Sequence, residues 1–276
     1  MGRTVDSARV RAAVGTVGPP RWALVPAGLG IALLLLPLVA LLAKADWAQL
    51  PAALGSRPVL LALWLSLRCG LLATAVCLVL GIPLALLLAR REGWWIRLLR
   101  TLVTVPLVLP PMVGGIALLY LLSTQGLIGQ YLFEWFGTRI AFSTLAVVLA
   151  ETFVALPFLV LTLEGALRSL GDRFETVAAT LGAGRTTILF RVTLPLLRPA
   201  LLSGTALCFA RALGEFGATA LFAGNKEGVT RTMPLAIYTE FNGGGDGTDT
   251  AVAMSLLLVV VALLILFAVR PRRSVW

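Results

Sequence analysis

The sequence predicts an all-α membrane protein with about six transmembrane helices, and three observations predict it. Of its 276 residues 59% are hydrophobic and only 13% charged, where a soluble domain would be about 45–50% apolar and about 25% charged. Six separate stretches are apolar over roughly the 20 residues that a helix needs to cross a bilayer core of about 30 Å. Lysine and arginine are distributed very unevenly over the segments between those stretches. The mean hydropathy of +0.95 agrees with lipid as the solvent.

The six expected spans are 22–43, 59–89, 99–122, 143–163, 199–223 and 251–269. They are read as helices because a segment in lipid must satisfy its backbone polar groups internally. Barrel strands would be shorter and would alternate in polarity. The first stretch follows an arginine-bearing segment, 1–21, like the apolar region of a signal peptide. It is longer than the usual 7–15 residues and is expected to be an uncleaved first helix. The remainder, 22–270, is expected to form one transmembrane domain, with a tail over 271–276.

Charge sets the orientation. Sixteen of the 23 basic residues fall in alternate segments: Arg3, Arg9, Arg11 and Arg21; Arg90, Arg91, Arg97 and Arg100; five in the loop 164–198; and Arg270, Arg272 and Arg273. Five lie in the opposite segments (Lys44, Arg57, Arg139, Lys226 and Arg231), and Arg68 and Arg211 lie inside spans. Basic loops stay inside, so both termini are expected in the cytoplasm of a multi-pass protein of the cell membrane. The net charge of +10 is thereby accounted for by topology, and no nucleic acid is expected as a partner.

Catalysis finds little material. The chain has no histidine, which removes the commonest general base and neutral metal ligand. Glu151 and Glu215 are the only candidate acids within spans, and no enzymatic or metal site is expected. Cys69, Cys77 and Cys208 all sit in apolar runs and read as small buried hydrophobes. No G-x-x-x-x-G-K-[ST] phosphate loop is present, so ATP, if it drives this protein, must be bound elsewhere.

The loop 164–198 is long and amphipathic and reads RFETVAATLGAGRTTILFRVTLP over residues 173–195. Gly171 and Asp172 mark a turn and a helix start, with Asp172 and Glu175 favoured by the helix N-terminus. Val177, Ala178 and Leu181 recur at helical spacing. Gly182 and Gly184 stop that helix, and Pro195 limits the apolar stretch that follows. Spacing alone leaves two readings open, a docking surface for another protein and an amphipathic helix lying on anionic lipid.

This loop resembles the conserved cytoplasmic loop of ATP-binding-cassette importer permeases. The family pattern is Glu-Ala-Ala, three residues, Gly, nine residues, Ile, one residue and Leu-Pro. Gly182, Val192, Leu194 and Pro195 fit its second half. Counting back from Gly182 puts Thr176, Val177 and Ala178 at the Glu-Ala-Ala positions, with the acid displaced to Glu175 and with Ala179 and Leu181 completing the segment. The resemblance extends over about residues 22–269 and implies a MetI-like permease fold. It further implies that the loop is a coupling helix seated on an ATPase. The implied partners are two ATPase subunits that hold ATP and Mg, an extracellular binding protein and a second copy of the permease.

Two other stretches, VPLVLPPMVGGIALL over 105–119 and FARALGEFGATALFAGN over 209–225, with GVTRTMPLAIY over 228–238, look most like molybdate permeases. Sulfate/thiosulfate and tungstate permeases are near relatives. The residues themselves carry a weaker message. Pro106, Pro110 and Pro111, followed by Gly114 and Gly115, interrupt the third span, either to line a wet cavity or to let helices pack closely. Arg211 and Glu215, four apart, can pair, either as a waypoint for a dianion or as a structural ion pair; Gly214 and Gly217 flank them. Arg68 can snorkel towards the outer surface. A short external helix is expected near 230–241, before the run Gly243, Gly244, Gly245. A secondary transporter would need acid or base relays or broken helices in both halves, which the sequence does not display.

Overall fold

The computed structural model describes residues 20–243 and 247–268, and all the secondary structure among them is helical. Arg3, Arg9, Arg11, Arg270, Arg272, Arg273, Gly244 and Gly245 lie outside the described residues, as does the tail 271–276. The chain divides after Ala45 into two units.

In the first unit a short 3-10 turn, Arg21–Ala23, leads into α1 (Leu24–Lys44). Leucine, valine, isoleucine and alanine cover this helix on every side, and none of its side chains is buried. A helix apolar all round needs an apolar solvent or a partner.

The second unit opens with Asp46, whose Oδ1 accepts the amides of Ala48 and Gln49 at 3.0 and 3.3 Å and so turns the chain into α2 (Leu50–Gly55). Helix α3 (Arg57–Arg90) has 34 residues and is about 51 Å long. It forms the central layer with α7 (Thr144–Leu170) and α11 (Arg198–Leu213). The reason lies in residue size. Cys69, Ala73, Cys77, Gly81 and Ala85 recur every four residues along α3 and are all buried. That stripe of small side chains lets neighbouring backbones approach, which is how helices associate where no hydrophobic drive exists between them. A Cβ on Gly81 would stand 3.1 Å from Leu159 Cδ2 of α7, and one on Gly70 3.1 Å from the Phe209 ring of α11. The three cysteines therefore fill small core positions, as their apolar surroundings predict.

Two of the expected spans are not continuous helices. Residues 99–122 divide between α4 (Trp94–Val108) and α5 (Pro111–Leu122), which meet at 114°. The corner sits at Leu109 and Pro110, both extended, because a residue before proline is driven out of the helical region. Pro106 is carried inside α4 without a break. Residues 199–223 divide between α11, ending at Leu213, and α12 (Gly217–Phe222). Four helices among the described residues are long and apolar enough to cross a membrane, and up to six spans result if α4 with α5, and the run Arg185–Leu196 with α11, each count as one.

After α5, α6 (Gly129–Phe136) ends at Gly137 in the left-handed region (φ 64°). The Ser143 hydroxyl then caps α7 by accepting the Ala146 amide at 3.3 Å. Near the far end of the sequence, α13 (Met233–Gly243) supplies the short helix expected near 230–241, and α14 (Gly247–Ala268) follows it. Val59, Ala62, Met233, Ala236 and Met254 make a second, smaller core joining α3, α13 and α14. The Ser66 hydroxyl accepts the Met233 amide at 2.7 Å and fixes where α13 begins.

Candidate functional site

Two regions carry the residues singled out in the sequence. In the first, α8 (Arg173–Thr180) starts after Asp172 and stops where Gly182 turns left-handed at φ 84°. The amide of Gly182 donates to Ala179 O at 3.0 Å and that of Ala183 to Ala178 O at 3.1 Å. This is the paired pattern of a Schellman stop, and it favours glycine because other residues are strained there. A single turn, α9 (Arg185–Ile188), passes through a π-helical turn at Leu189–Thr193 into α10 (Leu194–Leu196). Pro195 belongs to that last turn, and the run Arg185–Leu196 meets α11 at 73°.

Side chains on α8 separate by face. Phe174, Val177 and Leu181 are 49%, 55% and 83% exposed, and their spacing of three and four puts them on one side. Thr176 and Ala179 are also exposed, while Ala178, Val192, Leu194 and Pro195 are half-buried. Glu175 points the other way. Its Oε1 accepts from Arg90 Nη2 and from Thr193 Oγ1, both at 2.8 Å, and Arg90 also donates to Gly171 O at 2.9 Å. Glu175 thus ties the end of α3 to α8 and to the π-helical turn. The displaced acid braces the loop from within, and the outward ridge of the loop is apolar.

Beside it, Glu164 is buried and receives Arg100 Nε at 2.8 Å and Arg168 Nε at 3.0 Å. Both arginines also donate through Nη2 to Leu88 O. The Leu88 carbonyl near the end of α3 is satisfied this way, and α3, α4 and α7 are locked together. Replacing Glu175 by alanine is expected to loosen α8 with little effect elsewhere. The group is partly exposed, so losing its charged hydrogen bonds should cost about 1–2 kcal/mol. Amide exchange over 173–180 should then quicken about tenfold, and unchanged exchange there would show that Glu175 does not hold the loop.

The second region is the crossing of the two broken helices. A Cβ on Gly115 would lie 2.7 Å from Ala218 O, and one on Gly217 2.8 Å from Pro111 Cβ. The backbones of α5 and α12 are therefore in direct contact, while Gly114 faces the Phe153 ring of α7 at 3.0 Å. Pro110 O accepts the amides of Val113 and Gly114, which starts α5 on its new course. Gly214 closes α11, leaving Glu215 in the gap before α12. Glu215 Oε2 pairs with Arg211 Nη2 at 2.7 Å, and Oε1 accepts the Ala218 amide at 2.8 Å. The pair forms although helix α11 has already ended. Glu215 is 1% exposed, whereas the Arg211 side chain keeps 25% of its surface open. Pro110, Pro111 and Gly214 are exposed at the rim of the crossing, and Gly114, Gly115 and Gly217 are buried in it.

Sequence reasoning missed Phe174, Arg90, Thr193 and Glu164. Phe174 was legible, since it completes the spacing of Val177 and Leu181. The partners of the two carboxylates were not, because Arg90 and Glu175 are 85 residues apart. Glu151 is buried in α7 with Oε2 unpaired. Arg68 is exposed on α3 and forms no hydrogen bond or ion pair among the described residues.

Comparison with known proteins bears on this geometry. Residues 81–275 match the family described as binding-protein-dependent transport system inner membrane component. The molybdenum transport system permease protein ModB of Mycobacterium tuberculosis is 53% identical over 256 residues, covering 93% of this chain and 96% of that protein. ModB of Escherichia coli K12 is 42% identical, over 74% of this chain and 90% of that protein. The sulfate transport system permease protein CysT of Salmonella typhimurium is 35% identical, over 88% and 87%. A bacterial alginate ABC transporter, crystallised with an alginate pentasaccharide-bound periplasmic protein, shares the fold at a TM-score of 0.65 and 17% identity. That match covers 90% of this chain and 92% of that one.

Proposed function

The chain belongs to the family of binding-protein-dependent transport system inner membrane components, and on that premise we propose that it is the molybdate-conducting permease subunit of an ATP-driven importer. It is a multi-pass inner membrane protein and a non-catalytic subunit. The observation that carries the substrate is the 53% identity, over 93% of the chain, with a molybdenum permease.

The geometry supplies a mechanism. The apolar ridge of Phe174, Val177 and Leu181 docks in a groove of an ATPase subunit, which binds the ATP and Mg. Two copies of this chain, two ATPases and one extracellular binding protein make the working assembly, with both termini of the permease in the cytoplasm. Closure of the ATPases pulls on α8, and the Glu175–Arg90 brace carries that pull to α3. The core of small residues is bistable because close-packed interfaces shift between discrete arrangements. ATP and the loaded binding protein each favour one arrangement. The crossing of the broken helices is the pathway element. Its exposed rim of Pro110, Pro111 and Gly214 lies beside Arg211, which offers a positive waypoint to a dianion. Glu215 offsets that charge, so that the site is weak enough to leave.

Uptake of molybdate, tungstate and sulfate by cells with and without the gene tests this reading. Loss of molybdate uptake at nanomolar supply, restored by the gene and insensitive to excess sulfate, is the expected result. A loss confined to sulfate would move the protein to the neighbouring oxyanion branch.

A further inference from the structure

The turn between α3 and α4 encloses a cavity of about 380 Å³ lined by Arg91, Glu92, Gly93, Ile96, Arg97, Arg100 and Arg168. Four of the lining residues are arginines. Arg100 and Arg168 share Glu164, but Arg91 and Arg97 make no side-chain hydrogen bond or ion pair among the described residues. Glu92 and Glu164 are the facing acids, so the cavity keeps a net charge of +2. Helix α4 also begins at its edge. Gly93 precedes it at φ 128° and provides no side-chain cap, so the first turn of this 15-residue helix keeps free amides at that edge. Helix α8 and the turns that follow it are not part of this lining.

A basic cavity alone attracts any anion. What selects among them is the flank. Trp94 and Trp95, the first two residues of α4, are 72% and 43% exposed, and Leu98, Leu102 and Val105 continue an exposed apolar side along the same helix. Tryptophan prefers the level of lipid headgroups. Helix α4 thus presents an aromatic and aliphatic side to acyl chains, with a cationic cavity at its polar end.

We infer that this cavity is a binding site for the phosphodiester headgroup of an anionic phospholipid, held by Arg91 and Arg97 with the first amides of α4. Arg100 and Arg168 supply field from behind and are already tied into the core. The placement in the cytoplasmic leaflet rests on the orientation proposed above. The inner leaflet is the anionic one, and each basic group near it adds to the attraction. A lipid bound here would press on the joint of α3, α4 and α7 and stiffen the end of α3 that receives Glu175.

The test is native mass spectrometry of the full-length protein released from detergent. It is titrated with phosphatidylglycerol, with phosphatidylcholine, and with phosphatidylglycerol in the presence of millimolar glycerol 3-phosphate. Phosphatidylglycerol should be retained in preference to phosphatidylcholine and should resist glycerol 3-phosphate. The double variant R91Q/R97Q should weaken its retention about thirtyfold without lowering the melting temperature, because neither arginine is paired in the fold. Equal retention of the two lipids, or undiminished phosphatidylglycerol binding by the double variant, would overturn the site. Displacement by glycerol 3-phosphate would overturn the lipid as occupant and assign the cavity to a soluble phosphate. Thiol labelling of Glu92→Cys in sealed vesicles separates this proposal from the orientation. Labelling from inside is expected. Labelling from outside would overturn the leaflet and the topology while leaving the lipid measurement to stand by itself.

Discussion

Gly182→Asp is expected to reduce ATP-coupled uptake at least about tenfold, equivalent to roughly 1.4 kcal/mol in the coupling step, while the protein still inserts and folds. Gly182 holds φ 84° at the stop of α8, and no atom lies within 4 Å of where a Cβ would go. The substitution therefore meets no steric clash. Its conformational cost is about 1 kcal/mol, and aspartate tolerates the left-handed region better than most residues. A fold is not lost for that amount, but the proposed docking surface is altered. A carboxylate appears at the tip of the loop, beside Leu181, Val177 and Phe174, where an apolar ridge should enter its partner. A desolvated charge without a partner at such an interface is costly. Molybdate uptake and ATP hydrolysis measured together on the reconstituted importer would show hydrolysis persisting while transport falls. Normal coupled transport by the inserted variant would remove this loop from the coupling path.

Gly115→Ala should produce the largest loss of stability of any single methyl added to this chain's crossing. Its Cβ would approach Ala218 O to 2.7 Å and Ala218 Cα to 2.9 Å. Both are backbone atoms and cannot swing aside. Helix α5 must then lift off α12, and overpacking of this sort costs about 1–3 kcal/mol or more. The strain falls on the joint that Glu215 makes between Arg211 and the Ala218 amide. A melting temperature lower by about 5 °C or more is expected in detergent. Gly114→Ala provides the comparison. Its new methyl meets the edge of the Phe153 ring at 3.0 Å, and a ring can turn. If the two variants melt alike, the backbone contact between α5 and α12 is not the constraint described.

These two glycines mark how far a sequence can be read. Gly182 was legible because helix stops are local. The turn residues, the preceding periodicity and the family spacing all fall within about a dozen positions. The kink at Pro110 was legible for the same reason, since proline acts on its neighbour. Gly115 was only half legible. The sequence offered a proline-glycine interruption and two uses for it, a wet lining or a close approach. The choice depended on Gly217 and Ala218, a hundred residues away. Glu175 shows the opposite case. Its sequence position looked like a one-residue displacement of the family's glutamate, and only the fold revealed an inward brace with Arg90 and Thr193.

By itself, then, the sequence determined what is set by composition and by short-range chemistry. That comprises the lipid-soluble class, the apolar stretches, the asymmetry of charge, the start and stop of α8, and the small-residue positions of the three cysteines. The tertiary structure decided what depends on which distant residues meet. It broke the third and fifth apolar stretches at 114° and at Gly214, stacked the two breaks on one another, and turned Glu175, Glu164 and Glu215 into joints between helices. The physical reason is the range of the forces. Hydrophobic partition and backbone sterics act along the chain and leave a periodic trace. A buried carboxylate takes whatever donor the packing brings within about 3 Å, and packing of small residues against backbone is a property of two helices together.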